Sequence, residues 1–254
     1  MLFEGLGAGA AALVAAAYFG GFLIRGAFGF GSNLPIVVMT AWLLGPHHAI
    51  VLVIITGVFA QAHLFPQCFG SANWRLVAML TGGVYLGIAV GTYAFVSLTS
   101  ETLAPILGAV VILIVVMDRF DAIGRLGRQI DLAAKPVVAP LSVASGLIGT
   151  VAGGGGIYFL APFLRHMSPD AAIFRATNLA LSGIFIFGRL GMIAVAGFVD
   201  RAAVLEAVAL MPMAFLGSWA GGRWFHRVDA AHFFRALSLM LLLGAALLIG
   251  RSVL

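Results

Sequence analysis

Gly29-Phe30-Gly31-Ser32 and Gly153-Gly154-Gly155-Gly156 are the two stretches whose reading decides the fold. Each interrupts a hydrophobic run that would otherwise read as continuous membrane helix. Glycine breaks at corresponding positions of two related halves point to a transporter's binding site, because discontinuous helices turn their free backbone groups toward a mid-membrane cavity. The expected substrate position is where the two breaks meet.

The surrounding chain fits that reading. Its 254 residues are 62% hydrophobic and 9% charged, with a mean hydropathy of +1.12. A soluble domain carries charge at roughly a quarter of its positions, so this chain has too few polar residues to coat a water-facing surface. Lipid is the expected partner for most of it. The net charge of +5 is not a nucleic-acid footprint, since the basic residues sit mainly in connecting segments, where positive charge sets orientation. Cys68 is the single cysteine and excludes an intramolecular disulfide. The opening Met1-Leu2-Phe3-Glu4 lacks the positive region of a secretory signal, so the first apolar run is expected to belong to the mature fold.

Ten apolar segments follow from the polar, glycine and proline punctuation: 6–28, 33–45, 47–65, 75–97, 103–117, 137–152, 157–167, 170–197, 203–221 and 231–250. A full crossing needs about 20 apolar residues. The second and seventh segments fall short and each follows a glycine break, so both read as half-helices or arms of re-entrant hairpins. The long polar stretch 118–136 contains Arg119, Arg125, Arg128 and Lys135 and reads as a cytoplasmic linker between repeats at 1–117 and 137–254. Aligning Gly29 with Gly153 brings the turns Gly45-Pro46 and Ser168-Pro169 within one residue of register. Later, Leu86-Gly87-Ile88-Ala89-Val90-Gly91 matches Leu216-Gly217-Ser218-Trp219-Ala220-Gly221. Five segments per half is an odd number, which predicts inverted topology. With the linker inside, Arg75, Arg165, Arg223 and Arg227 also fall inside, and both termini fall outside. The expected fold is an all-α polytopic membrane protein of two inverted repeats.

These motifs carry a family resemblance. Gly29-Phe30-Gly31-Ser32 with Gly45-Pro46 is similar to the first half of the sulfite exporter TauE/SafE family. Ser145-Gly146-Leu147-Ile148-Gly149, the four glycines, Pro162 and Arg175-Ala176-Thr177-Asn178 resemble its second half. The resemblance spans nearly the whole chain. It implies a multi-pass permease of the bacterial inner membrane for sulfite, sulfonates or related small organic anions. A departure from the family pattern is Asn33-Leu34-Pro35, which sets a proline early after the first break.

The residues themselves also suit an anion. A helix that starts after a break presents unpaired N–H groups and the positive end of its dipole, and glycine lets a ligand approach those amides. The candidate substrate-binding set is Gly29, Phe30, Gly31, Ser32, Asn33, Gly153, Gly154, Gly155, Gly156, Tyr158, Arg175, Thr177 and Asn178. Ser32, Thr177 and Asn178 can donate hydrogen bonds to an oxyanion, although a buried Ser or Thr in a membrane helix often bonds a backbone carbonyl instead. Among the arginines in or beside apolar segments, Arg175 is the first choice for the anion, one turn before Asn178. Arg25 and Arg189 are further candidate charge partners, because an arginine within the membrane is costly and usually functional.

No acidic residue falls at a segment centre, and Glu206 sits near the start of the ninth. That argues against a cation carrier and against the usual carboxylate proton relay. His47 and His48 read as turn residues, whereas His63, late in the third segment, is a candidate proton carrier. Proton and sodium both stay open as the coupling ion. No metal motif, catalytic residue or cofactor is expected. A passive anion channel is the nearest rival reading. An intramembrane serine hydrolase using Ser32 with His63 is the rival from another class, but it lacks a G-x-S-x-G or H-E-x-x-H motif. The small-xxx-small faces allow packing within one chain or in a homo-oligomer.

Overall fold

The computed structural model describes residues 7–28, 31–120, 134–154 and 170–224, with isolated positions at 125, 156, 160, 163, 164, 167, 168, 242 and 245. Gly29, Phe30, Gly155, Tyr158 and the side chain of His63 lie outside the described residues, as do most of the segments 157–167 and 231–250. The described residues form an all-α structure. Its helices are α1 (Ala8–Phe28), α2 (Asn33–Leu44), α3 (Pro46–Leu64), α4 (Trp74–Ser97), α5 (Ser100–Arg119), α6 (Lys135–Val151), α7 (Ala171–Val195) and α8 (Arg201–Trp224), with a 3-10 turn at Phe65–Cys68.

Local chemistry sets these boundaries. Pro46 opens α3 directly after Gly45, whose φ is 80°. Proline suits a first turn, where its missing N–H would be unpaired anyway. The same reason makes Pro35 harmless: α2 begins at Asn33, so the proline lies within the first turn. The Asn73 side chain accepts from the Leu76 N–H and starts α4. Asp170 accepts from the N–H groups of Ala172 and Ile173 and starts α7.

Among the described residues, five helices are long and apolar enough to cross a membrane: Ala8–Ala27, Trp74–Ser97, Ser100–Met117, Ala172–Val195 and Arg201–Arg223. At 1.5 Å per residue, the twelve residues of α2 span about 18 Å, against a hydrocarbon core of about 30 Å. This is the short helix expected after the first break. Large apolar side chains face outward on the spanning helices, including Leu86, Val90 and Tyr93 on α4 and Phe215, Leu216 and Trp219 on α8. Such surfaces are unfavourable in water and matched to lipid.

Two glycine seams hold the bundle. On α4, a Cβ at Gly87 would strike the Val143 carbonyl oxygen of α6, and one at Gly91 would lie 2.9 Å from the Leu147 oxygen. On α8, Cβ atoms at Gly217 and Gly221 would strike the Phe19 and Leu23 carbonyl oxygens of α1. The two GxxxG stretches matched in the sequence therefore serve packing inside the chain. The partners also cross between halves: α1 packs on α8 and α6 on α4, while α3 packs on α8 and α7 on α4. At the centre, α3 meets α7.

Candidate anion site

A cavity of about 40 Å³ lies where the two breaks approach each other. It is lined by Arg25, Gly31, Asn33, Gly154, Ser182, Phe185, Ile186 and Arg189. A single water needs roughly 10–15 Å³ of such space, so the cavity holds a small water cluster or the head of a small oxyanion. The contribution from α7 is one helical face, with 182, 185, 186 and 189 at i, i+3, i+4 and i+7.

Backbone geometry explains the glycines here. Gly31 has φ 98°, Gly153 φ 72° and Gly154 φ 152°, conformations that side-chain-bearing residues rarely adopt. The breaks touch. A Cβ on Gly154 would run into the Asn33 side chain, and one on Gly153 would lie 2.7 Å from Val37 Cγ2 of α2. Asn33 and Gly31 bring the N-terminus of α2, the positive end of its dipole, to the cavity wall. The second break is tied to α6 by the Ser145 hydroxyl, which donates to the Gly156 carbonyl at 2.6 Å.

Two arginines carry the charge. Arg25 is 4% exposed and Arg189 is 2% exposed. One Arg25 nitrogen donates to Gln61 Oε1, and another lies 3.5 Å from the Ser32 hydroxyl. Gln61 in turn donates to the Leu179 carbonyl at 2.8 Å, so this amide joins α1, α3 and α7. Arg189 donates to the Thr150 carbonyl at 3.2 Å. The Nε–H of both arginines is buried without a hydrogen-bond partner. Among the described residues neither arginine has a carboxylate in ion-pair range; the one buried acid, Glu206, is paired with His48. An ion left unpaired in a low-dielectric interior costs several kcal/mol. A bound anion would offset that cost.

The candidate residues separate on this geometry. Gly31, Asn33, Gly154, Arg25 and Arg189 line the cavity. Ser32 stands beside it, its hydroxyl donating to Asn33 Oδ1 at 2.8 Å. Asn178 is fully buried on α7, one turn before Ser182 on the cavity face, and both amide atoms lack a partner. Arg175 does not line the cavity; its guanidinium donates to Gln67 Oε1 at 3.3 Å beside the 3-10 turn. Thr177 accepts the Asn73 backbone N–H at 2.9 Å and so supports the start of α4. Sequence reasoning missed Gln61, Ser182, Phe185 and Ile186. A lone amide in an apolar segment was an available signal for Gln61, as was helical spacing back from Arg189 for the other three.

His47 and His48 differ from expectation, whereas Glu206 keeps its place near the start of its segment. His47 and His48 lie in the first turn of α3, not in a free turn. Glu206 is buried in the second turn of α8, with Oε2 2.6 Å from His48 Nε2.

Comparison with protein families matches residues 13–248 to the family described as Sulfite exporter TauE/SafE. The chain belongs to the TauE/SafE family. Comparison with curated proteins and with solved structures found no match. As a TauE/SafE protein it is a multi-pass membrane transporter, and the outward apolar faces of its spanning helices follow from that.

Proposed function

We propose that this protein is a secondary permease of the bacterial inner membrane that moves a small oxyanion such as sulfite, a short sulfonate or an organic acid. The anion sits between Arg25 and Arg189 at the cavity where the two breaks meet. The single observation that carries this reading is a pair of buried arginines that line one small cavity with no carboxylate in ion-pair range among the described residues. Each guanidinium can donate charge-assisted hydrogen bonds to an anionic oxygen. The α2 N-terminus and the Asn33 amide add donors, and Phe185 and Ile186 close the apolar side.

The reciprocal pairing of α1 with α8 and α6 with α4 supports reading the chain as two repeats, 1–117 and 137–254, joined by a cytoplasmic linker. In such an arrangement the site lies between units that can rock against each other. Uptake of labelled sulfite and methanesulfonate into proteoliposomes tests the function. Saturable counterflow is expected. Flux that never saturates would replace the carrier with a channel, and no flux of any small anion would remove the reading.

A further inference from the structure

The cavity leaves one buried charged group without a role. Glu206 Oε2 lies 2.6 Å from His48 Nε2, with side chains 8% and 38% exposed respectively. One partner is therefore dry and the other reaches the surface. The pair joins α3 to α8 at the end of α3 opposite Gln61, which holds Arg25.

Resting on the permease reading, we propose that His48–Glu206 binds the coupling proton and that the proton and the anion move in the same direction. With Nε2–H donated to the carboxylate, Nδ1 of the neutral His48 is the basic nitrogen. A proton delivered there by water converts a pair of net charge −1 into an imidazolium–carboxylate pair of net charge zero. Nothing else is consumed. The buried charged side chains among the described residues are Arg25, Arg189 and Glu206. With His48 neutral they carry one positive charge in excess, and protonation of the pair raises that excess by one. In a low-dielectric interior, added positive charge strengthens anion binding. By linkage, a bound anion strengthens proton binding to the same degree. The sign is that of symport.

Among the described residues, the surrounding groups leave this role to His48. On α3, His47 has both nitrogens engaged, with the Ser100 hydroxyl at 3.0 Å and the Phe95 carbonyl at 3.1 Å. The buried Tyr18 of α1 lies within electrostatic reach of Glu206, seven residues before Arg25 on the same helix. On α8, Asp200 and Arg201 are exposed, and Glu101 of α5 is exposed at its helix start. Two helices thus run from the pair to the cavity. α1 carries Tyr18 and then Arg25, while α3 carries His48, the buried Thr56 and then Gln61.

The test uses the full chain in liposomes with methanesulfonate, a monoanion at every working pH, and a luminal pH dye. In the wild type an acid-outside gradient should drive accumulation together with luminal acidification. Raising pH should weaken apparent affinity by at least about fivefold, the lower end of typical coupling. Glu206→Gln should keep counterflow at equal pH but lose both gradient-driven accumulation and the pH dependence. His48→Gln, altered at a partly exposed position, carries the same expectation should Glu206→Gln not reach the membrane. Gradient-driven accumulation at the wild-type level in either variant overturns the proposal, as does wild-type counterflow indifferent to the gradient. Absence of counterflow in the wild type would instead sink the permease reading.

Discussion

Along the α1–α8 and α4–α6 seams, a neighbouring helix backbone occupies the place of the missing Cβ at Gly87, Gly217 and Gly221; at 31 and 153–154, the chain turns through positive φ beside a cavity. At the seams the nearest atoms to Gly87, Gly217 and Gly221 are backbone carbonyl oxygens, which cannot move aside without shifting a helix. At Gly154 the nearest atom is Asn33 Cβ, and the backbone itself, at φ 152°, disfavours a side chain. Glycine therefore does two separate jobs in this protein. Seam glycines hold the helices together in lipid, where close packing substitutes for hydrophobic drive. Break glycines shape the site.

The largest expected effect lies at the seams. Gly217→Leu or Gly87→Leu should leave little monodisperse protein after extraction, because overpacking against backbone exceeds the usual cost of about 1–3 kcal/mol. Gly82 on α4, with no atom within 4 Å of its Cβ position, is the control. Equal yields from Gly87→Leu and Gly82→Leu would erase the distinction between seam and surface. Gly154→Leu, set where the backbone turns through positive φ, should lower the yield but leave expression measurable, and the protein that reaches the membrane should lose transport by about 100-fold or more, as misplaced site groups do. Normal uptake by that variant would remove the second break from the site.

A smaller effect separates the arginines. Arg25→Ala and Arg189→Ala should each raise the apparent KM for methanesulfonate by about 10- to 150-fold, equivalent to about 1.5–3 kcal/mol for a hydrogen bond to a charged group. Arg175→Ala, away from the cavity and bonded to Gln67, should change it by less than about threefold, given the small worth of exposed polar pairs. Comparable losses at all three positions would extend the site to Arg175. The smallest functional effect belongs to Thr177→Val. Loss of the acceptor for the Asn73 N–H should cost about 1–3 kcal/mol of stability, read as a lower unfolding temperature, with KM unchanged.

Much of this was legible in the residues. The shortness of α2 follows from Gly31 and from the Gly45-Pro46 turn, which bracket too few residues to cross a bilayer. The seams were visible as Gly87/Gly91 and Gly217/Gly221, since a four-residue spacing places two small residues on one helical face. Arg25 and Arg189 stood out because charge inside apolar segments is rare. The preference for Arg175 came from its nearness to Asn178 along the chain. Yet residues three apart on a helix can face different neighbours, and Arg175 turns to Gln67 while Asn178 turns to the interior. Glu206 lies near the start of α8, as its place in the apolar run implies, but its burial follows only from the packing of that helix.

By itself the sequence determined the solvent, the helices and the two places where helices must break, because hydropathy, glycine and proline act through local backbone and transfer energies. Only the tertiary structure decided which polar groups meet. Arg25 and Arg189 are 164 positions apart, and His48 and Glu206 are 158 apart. Their partnerships depend on how α1, α3, α7 and α8 cross, and local propensity carries no information about that crossing.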